Sequence, residues 1–311
     1  MLLSIIIPTY NNARFLNRCI DSLSLPQLSA QVIVIDDGST DDTQEVLAGI
    51  QKKNPCVKII TQQNSGVSSA RNAGLQASSS EFVMFVDADD RLCPGALELL
   101  ADDLGNVDSD VIVCNSFSNN KPFYPWQDCF ISNQKYEGRD LMRVRYVRGS
   151  VCGCVFRTSF LRRNGLTFSQ ELSIGEDTVF FACTLSAGAN VSFRNINLYD
   201  VILRPDSSSH KYDDSFFLRY GRVVPAARFL IDDRCIADNT LLNILMGVVH
   251  ISAKLGYNAE QVRLITNVDS VLPLNPAVFT KQRWLVKVLN RSFTAFFMIK
   301  RWKDIVFCNQ G

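Results

Sequence analysis

Three carboxylates stand together after an apolar segment in the first third of the chain. Asp87, Asp89 and Asp90 directly follow the run at residues 82–86. Carboxylates this close repel one another where the dielectric constant is low. Mg²⁺ or Mn²⁺, which prefer oxygen ligands, would relieve that repulsion. The cluster therefore predicts a divalent-cation site shared with substrate phosphates, and the alternative is a solvated helix cap before Pro94.

A second acidic cluster follows another apolar run at residues 31–35. It contains Asp36, Asp37 and Asp41. A carboxylate at a strand end can accept hydrogen bonds from a nucleobase N–H or a ribose hydroxyl. The alternative is a turn with a helix cap, a role that Asp often has.

One arginine lies in a predicted helix between these two clusters. Arg71 belongs to the segment Gly66–Ala77. Its planar guanidinium can bind diphosphate oxygens in a bidentate manner. The alternative is an ordinary surface arginine on a helix, so Arg71 gains weight only together with the carboxylates.

The elements that must position these residues alternate in type. Apolar β-branched runs predict strands, and apolar residues at helical spacing predict helices between them. The strands are predicted at residues 3–7, 31–35, 57–60, 82–86 and 110–114. Such alternation predicts a parallel sheet with helices on both faces. Ligands of such sheets bind beyond the carboxyl ends of the strands, where the polar clusters stand.

The later part of the chain changes character. Residues 115–148 are rich in Ser, Asn, Pro and aromatic residues, which predicts a loop-rich insertion and a candidate acceptor wall. The predicted domains are a catalytic domain at 1–212 and a helical C-terminal region at 213–311. Within the first domain, residues 1–114 form the nucleotide-binding half and residues 115–212 the acceptor half.

Four motifs in the same order and spacing resemble the family 2 glycosyltransferases of the GT-A fold. They are Pro8-Thr9-Tyr10-Asn11, Asp36-Asp37-Gly38-Ser39-Thr40-Asp41, Ser69-Ala70-Arg71-Asn72 and Asp87-Ala88-Asp89-Asp90. The resemblance is strongest over residues 3–114 and continues more weakly to about residue 210. Within the family, the chain resembles the bacterial surface-polysaccharide enzymes. It implies an α/β GT-A fold, Rossmann-like, with a mainly parallel sheet flanked by helices and a helical C-terminal extension.

The resemblance also implies a site for a nucleotide-sugar donor, usually a UDP-sugar, and inversion at the anomeric carbon. Asp37 is implied to face the uracil or ribose, and Asp89 to hold the Mn²⁺ or Mg²⁺ that bridges the diphosphate. The implied nucleotide-sugar residues are Pro8, Thr9, Tyr10, Asn11, Asp37, Arg71, Asp87, Ala88 and Arg204.

An acidic pair in the second half resembles the family's catalytic carboxylates. Glu176 and Asp177 stand at a predicted helix start. Inversion by single displacement needs one base on the face opposite the leaving diphosphate. Asp177 is the expected base, with Glu176 as the alternative. The structural alternative is that both residues only favour the helix N-terminus electrostatically.

The segment that begins at Arg204 resembles the family's loop that closes over the diphosphate. It contains His210, which in some GT-A enzymes is a further metal ligand, and neutral imidazole is compatible with Mn²⁺. The alternative is an exposed loop histidine. The other histidine, His250, lies in an apolar helical segment that is typical of a core position.

Composition limits the partners and the location. A net charge of +1 over 311 residues gives no bulk attraction to nucleic acid. A basic leader is not visible at the N-terminus, so we expect a cytoplasmic protein that is peripheral on the inner face of the plasma membrane. Residues 281–303 carry Lys, Arg and Trp at helical spacing, which predicts a membrane-surface contact or a helix packed on the domain. The expected acceptor is a glycan or glycolipid.

Other functions on a related fold leave different signatures. A sugar nucleotidyltransferase would carry a Gly-rich loop after the first strand, and a nicotinamide dehydrogenase would carry G-x-G-x-x-G there. Pro8-Thr9-Tyr10-Asn11-Asn12 stands at that position instead. A non-catalytic sugar-nucleotide-binding or scaffold protein on the same fold is the remaining alternative, and the retained carboxylates Asp37, Asp89 and Asp177 argue against it.

Overall fold

The structure is a computed structural model of the 311-residue chain. It describes residues 2–24, 30–123, 126–127, 129–143, 150–204, 213–278 and 283–308, without the side chains of residues 142–143 and 301–308.

The first half of the chain alternates between strands and helices as predicted. The elements are β1 (Leu3–Thr9), α1 (Ala13–Asp21), β2 (Ala30–Asp36), α2 (Thr43–Lys53), β3 (Val57–Thr61), α3 (Val67–Ala77), β4 (Phe82–Phe85), β5 (Arg91–Leu92), α4 (Ala96–Leu104) and β6 (Val111–Ser118).

The middle of the chain contains shorter elements. They are β7 (Lys121–Phe123), β8 (Lys135–Glu137), α5 (Gly138–Arg143), β9 (Cys154–Arg157), α6 (Thr158–Arg163), α7 (Glu176–Ser186) and β10 (Asn190–Val201). The predicted loop-rich insertion at 115–148 thus holds the end of β6, two short strands and a helix. The polar composition of this insertion gives little sign of these elements, because short edge strands need few apolar residues.

The C-terminal part is helical, as the sequence predicts. Its helices are α8 (Asp214–Gly221), α9 (Val223–Leu230), α10 (Arg234–Leu255), α11 (Ala259–Thr266), α12 (Arg283–Arg291) and α13 (Phe293–Cys308), with 3₁₀ turns at Val268–Ser270 and Pro276–Val278.

The strands form one sheet in the order β3-β2-β1-β4-β9-β6-β10-β5, with β7 beside β6 and β8 beside β10. Strands β1 to β4 run parallel, and β10 runs parallel to β6. Strand β9 is antiparallel to both β4 and β6. Because β9 reverses direction once on each side, β6 runs the same way as β4. The carboxyl ends of β1, β2, β4, β6 and β10 therefore share one edge of the sheet.

Burial on both faces explains the apolar sequence of the central strands. Ile5, Ile6 and Ile7 of β1 are fully buried, as expected for a parallel strand between two helical layers. Helix α3 lies close above β1 because Gly74 has no side chain. A Cβ at that position would come within 2.3 Å of Ile6 Cγ2.

The chain divides into two compact units that interleave in sequence. The sheet unit consists of Met1–Glu137, Ser150–Ser173 and Ala189–Leu203. The helical unit consists of Gly138–Gly149, Ile174–Gly188 and Arg204–Gly311. The acceptor half predicted at 115–212 is therefore shared between the units, because α5 and α7 pack with the C-terminal helices whereas β10 joins the sheet.

Helix α10 forms the centre of the helical unit, where it packs against α5, α7, α8, α9, α11 and α13. Within the described residues it is the one helix long and apolar enough to cross a membrane by length and composition. Of its most apolar stretch, 72% is buried inside the protein. Such burial is typical of the core helix of a globular unit, so the length and composition of α10 are weak evidence for a membrane span.

Candidate functional site

Asp37 is fixed at the carboxyl end of β2 by the loop that follows β3. Its Oδ1 accepts hydrogen bonds from Gln62 Nε2 at 2.7 Å and the Ser65 backbone N–H at 2.9 Å. Its Oδ2 accepts one from the Gly66 backbone N–H at 2.8 Å. The side chain is buried, so the carboxylate joins the start of α3 to the end of β2. Asp36, next to it, accepts from the Ser39 backbone N–H and is structural.

Asn11 joins the first motif to the second. Its Oδ1 accepts hydrogen bonds from the backbone N–H groups of Thr40 at 2.8 Å and Asp41 at 3.3 Å. Its own N–H donates to Ser39 Oγ. Asn11 adopts a left-handed backbone conformation with φ 52°, which Asn tolerates better than most residues. The tightened turn leaves Tyr10 exposed beside it and buries Thr9.

Arg71 and Asp87 form an ion pair between α3 and the end of β4. Arg71 Nη2 lies 2.9 Å from Asp87 Oδ1, and the two side chains are 3% and 33% exposed. The guanidinium also lies 5.2 Å from the centre of the Phe168 ring, within cation–π range. The structure thus places Arg71 beside the acidic segment, whereas its predicted contact with a diphosphate stays a prediction. The half-exposed carboxylate remains open to a ligand.

Asp90 is held by two residues from β10 and the segment after it. The Tyr199 hydroxyl donates to Asp90 Oδ2 at 3.0 Å, and the Ile202 backbone N–H donates to Oδ1 at 2.8 Å. The same Tyr199 oxygen accepts from the Asp87 backbone N–H. Burial, and then the negative charges of Asp87 and Asp89, raise the pKa of Asp90 to about 8 despite these hydrogen bonds.

A compact group of possible metal ligands lies at this edge. Ligand atoms of Asp87, Asp90 and Cys152 all lie within 4.8 Å of one another. The carboxylates fit a hard divalent cation because their oxygens are the ligands it prefers. A cation would also relieve their mutual repulsion, which adds to burial in raising the pKa of Asp90. The Cys152 thiol is a softer ligand that suits Mn²⁺ and Mg²⁺ poorly. It donates to Asp87 Oδ2 at 3.5 Å instead.

The remaining predicted donor residues take different positions. The Asp89 side chain is half-buried, and its backbone carbonyl accepts a hydrogen bond from Arg18. It is not a member of the three-residue group above. Ala88 is buried in the core of the sheet unit, so only its backbone can face a ligand. Pro8 lies within the buried strand β1.

In the helical unit, the predicted catalytic pair begins α7. Gly175 precedes the helix in a left-handed conformation with φ 73°, and a Cβ there would come within 3.0 Å of the Val223 side chain. Glu176 and Asp177 occupy the first turn, where the helix dipole favours negative charge. Asp177 is buried and Glu176 half-buried. Arg204 belongs to this unit and is half-buried, and His210 lies outside the described residues.

Sequence reasoning missed the partners that come from distant parts of the chain. Tyr199 is fully buried in β10, and its hydroxyl lies between Asp87 and Asp90. Cys152 belongs to a close cysteine pair that the sequence shows, yet its contact with Asp87 depends on β9 lying beside β4. The loop residues Gln62 and Ser65, which hold Asp37, carried no signal in the sequence.

The family model for glycosyl transferase family 2 matches residues 4–167, which is more than half of the chain. The chain belongs to glycosyl transferase family 2. The matched range contains every strand-end residue of the donor motifs described above, and the resemblance drawn from four motifs is confirmed.

Several curated proteins are similar in sequence. The uncharacterized glycosyltransferase EpsJ of Bacillus subtilis (strain 168) is 27% identical over 218 residues, which are 66% of this chain and 62% of EpsJ. The poly(ribitol-phosphate) beta-N-acetylglucosaminyltransferase TarS of Staphylococcus aureus is 29% identical over 184 residues, which are 58% of this chain and 32% of TarS. The chain spans less than two thirds of the length of the curated relatives it matches first.

Solved structures show the same fold. A crystal structure of Staphylococcus aureus TarS 1–349 with UDP-GlcNAc has a TM-score of 0.75 and 21% identity, covering 100% of this chain and 92% of that one. A mannosyltransferase of Pyrobaculum calidifontis with GDP-Man and Mn²⁺ has a TM-score of 0.54 and 15% identity, covering 97% and 86%. The predicted GT-A fold is confirmed by these matches.

Proposed function

We propose that the protein is an inverting glycosyltransferase that moves a sugar from a nucleotide-diphosphate donor, a UDP-sugar, to an acceptor hydroxyl. The observation that carries this proposal is the group formed by Arg71, Asp87 and Asp90 at the carboxyl edge of the sheet. Ligands of open α/β sheets bind at this edge. The curated relatives, which are named as glycosyltransferases, support the same activity.

Each donor residue has a task that its position favours. Asp37 holds the loop before α3 and so positions Arg71 four residues into that helix. Arg71 lies beside Asp87 with its guanidinium buried, where it can contact a diphosphate with little screening by water. Tyr10 is exposed beside the turn and offers a ring surface to a nucleobase. The site thus favours a nucleotide diphosphate over an uncharged sugar.

A divalent cation, Mn²⁺ or Mg²⁺, would be held by Asp89 with Asp87, and it would neutralise charge that develops on the leaving diphosphate. The mannosyltransferase structure with Mn²⁺, which has a similar fold, supports the use of a divalent cation but does not bear on which residues hold it. Asp177 would take the proton of the acceptor hydroxyl as that oxygen attacks the anomeric carbon. The bond from that carbon to the diphosphate oxygen breaks on the opposite face, which inverts the centre.

We further propose that the acceptor is a lipid-linked or growing surface polysaccharide, reached from the inner face of the plasma membrane. In α12 the apolar residues Leu285, Val286 and Leu289 are buried, whereas Trp284 is 48% exposed beside the basic Arg283 and Lys287. This arrangement supports electrostatic adsorption on an anionic surface over deep insertion. Weaker flotation of Lys287→Glu with anionic vesicles would support it. Equal flotation of Lys287→Glu and the distant control Lys58→Glu would contradict it.

Donor hydrolysis is the experiment that tests the activity. The purified chain is incubated with UDP-, GDP- and dTDP-sugars, with and without Mn²⁺, and both released nucleotide and bound donor are measured. We expect metal-dependent binding of one UDP-sugar with slow UDP release, and loss of that binding in Asp89→Ala. If none of these sugars binds with metal present, the activity is refuted and a non-catalytic protein on the same fold becomes the better explanation.

A further inference from the structure

One cleft of the sheet unit lies outside the donor site. Its volume is about 590 Å³, and its wall includes Arg91, Leu99, Phe117, Asn195, Asn197 and Asp200. Small-molecule sites in proteins commonly have volumes of this order. The donor residues predicted from the sequence do not line it, although Arg91 directly follows Asp90 in the chain. We call it the amide cleft.

A buried amide organises one wall of this cleft. Asn115, in β6, is 6% exposed. Its Nδ2 donates to Asn195 Oδ1 and to Asn197 Oδ1, both at 2.9 Å. Its Oδ1 accepts from Gln127 Nε2 at 2.6 Å. Because Asn195 and Asn197 turn their oxygens to Asn115, their NH₂ groups point away from it. Both residues are exposed and line the cleft, so the network sets the orientation of two amides in its wall.

The backbone beneath these amides departs from regular pairing. The register of β10 against β6 shifts between Phe193 and Asn197 and again between Asn197 and Tyr199. Such irregularities re-aim side chains and are common at sheet edges near functional sites. Asn is also depleted in strands because its amide competes with the backbone. Two exposed Asn residues on an irregular strand break local preference, as residues selected for binding often do.

The rest of the wall combines apolar surface with balanced charge. Phe117 and Ile196 are half-exposed, and Leu99 is 59% exposed. Arg91 and Asp200 pair with each other, with Arg91 Nη2 2.7 Å from Asp200 Oδ2. Because this pair is neutral as a whole, the cleft has no surplus of positive charge that would select a phosphate or another anion.

We propose that the amide cleft binds a neutral oligosaccharide. Sugar hydroxyls both donate and accept hydrogen bonds, and they match the NH₂ groups of Asn195 and Asn197 as acceptors. The C–H faces of a sugar ring can pack on Phe117 and Ile196, as apolar surface favours. Because the donors are fixed in advance by Asn115, a ligand loses less entropy in ordering them.

This cleft would hold part of a glycan that is remote from the reacting hydroxyl. That use in transfer rests on the proposed glycosyltransferase activity, whereas glycan binding does not. Binding is therefore measured without nucleotide and without metal, and donor hydrolysis is measured separately on the wild-type chain. Glycan binding by a chain that binds no nucleotide sugar with metal present would leave the cleft assigned and refute the activity. Donor binding and hydrolysis without glycan binding would support the activity and overturn the cleft assignment.

The test uses calorimetry and saturation-transfer NMR with four tetrasaccharides. Cellotetraose, maltotetraose and chitotetraose are neutral, and tetragalacturonate is the anionic counterpart. Asn195→Asp is the decisive variant because it keeps the Oδ1 that Asn115 needs and replaces the outward donor by an acceptor. Asn190→Asp is the matched control, since Asn190 is an exposed residue of the same strand that does not line the cleft.

We expect one or more neutral tetrasaccharides to bind at millimolar concentration or tighter. Asn195→Asp should weaken that binding about tenfold, as the loss of one well-placed hydrogen bond does, and Asn190→Asp should not. Asn197→Asp provides a second variant of the same design if Asn195→Asp misfolds. Absence of binding by all three neutral sugars, preference for tetragalacturonate, or equal binding by Asn195→Asp and the control would each overturn the proposal.

Discussion

The carboxylates of the two units lie in different electrostatic surroundings. In the sheet unit, Asp87 pairs with Arg71 and stays 33% exposed. Its neighbour Asp90 has a pKa raised to about 8 by burial and by adjacent carboxylates. In the helical unit, Asp238 of α10 is fully buried and contacts two arginines, Arg228 and Arg234.

The difference lies in how much local charge is balanced. Asp238 also accepts a hydrogen bond from the Asn275 backbone N–H at 2.7 Å, so its carboxylate is satisfied from several sides within the protein. The carboxylates of the sheet unit lie close together at a strand end, and a bound cation would relieve their mutual repulsion. A buried carboxylate such as Asp90, whose neighbours are themselves acidic, therefore points to a site more strongly than Asp238 does.

The largest effect we expect is on sugar transfer, when the proposed base Asp177 of the helical unit is replaced. Asp177→Asn should reduce sugar transfer about 10²- to 10⁴-fold, since an amide cannot take the proton of the acceptor hydroxyl. Donor binding by the sheet unit should remain near that of the wild type. The measurement is transfer rate against donor affinity in one preparation, and wild-type transfer by the variant would refute the base assignment.

Removing the balanced carboxylate should cost stability. Asp238→Asn leaves the partly buried Arg228 without a full counter-charge, which we expect to lower the free energy of unfolding by about 3 kcal/mol. Urea denaturation followed by circular dichroism measures it. Asp89→Ala serves as the comparison and should change unfolding by less than about 1 kcal/mol because its side chain is half-exposed. Equal losses of unfolding free energy in Asp238→Asn and Asp89→Ala would contradict this difference between the units.

A smaller loss should follow from the residue that starts α10. Asp233 Oδ1 accepts from the backbone N–H groups of Cys235 and Ile236, and its Oδ2 pairs with Arg139. Asp233→Ala should lower the free energy of unfolding by about 1 kcal/mol, mainly through the lost cap. Asp232→Ala, which removes the exposed neighbouring carboxylate, is the control and should have little effect. An equally large loss of unfolding free energy in Asp232→Ala would argue against a stabilising cap at Asp233.

The Asp233 carboxylate should also make the free energy of unfolding depend on pH. Burial raises the Asp233 pKa, but the hydrogen bonds and charge of Arg139 and the helix N–H groups outweigh it, so the pKa falls below its ordinary value of 3.8. The stabilisation is present above that value and is lost as the pH falls through the lowered pKa. The stability difference between wild type and Asp233→Ala should therefore narrow below about pH 4. A constant difference down to pH 2 would contradict it.

Local patterns in the sequence were enough for the first half of the fold. Apolar runs at residues 3–7, 31–35 and 82–86 correspond to β1, β2 and β4, because a strand buried on both faces has to be apolar throughout. For residues 115–148 the sequence predicts only a loop-rich insertion, and it does not predict the strands and the helix found there. Its strands β7 and β8 are short and lie off the main path of the sheet, where burial imposes little pattern.

The sequence by itself determined which residue types follow which strand, and hence that Asp37 and Asp87 lie at one edge of the sheet. Tertiary structure decided everything that depends on strand order. Tyr199 reaches Asp90 across 109 residues, and Asn115 reaches Asn195 across 80. These contacts exist because β9 lies antiparallel between β4 and β6 and because β10 pairs with β6. Hydrophobic periodicity reports the burial of each strand but carries no information about its neighbours.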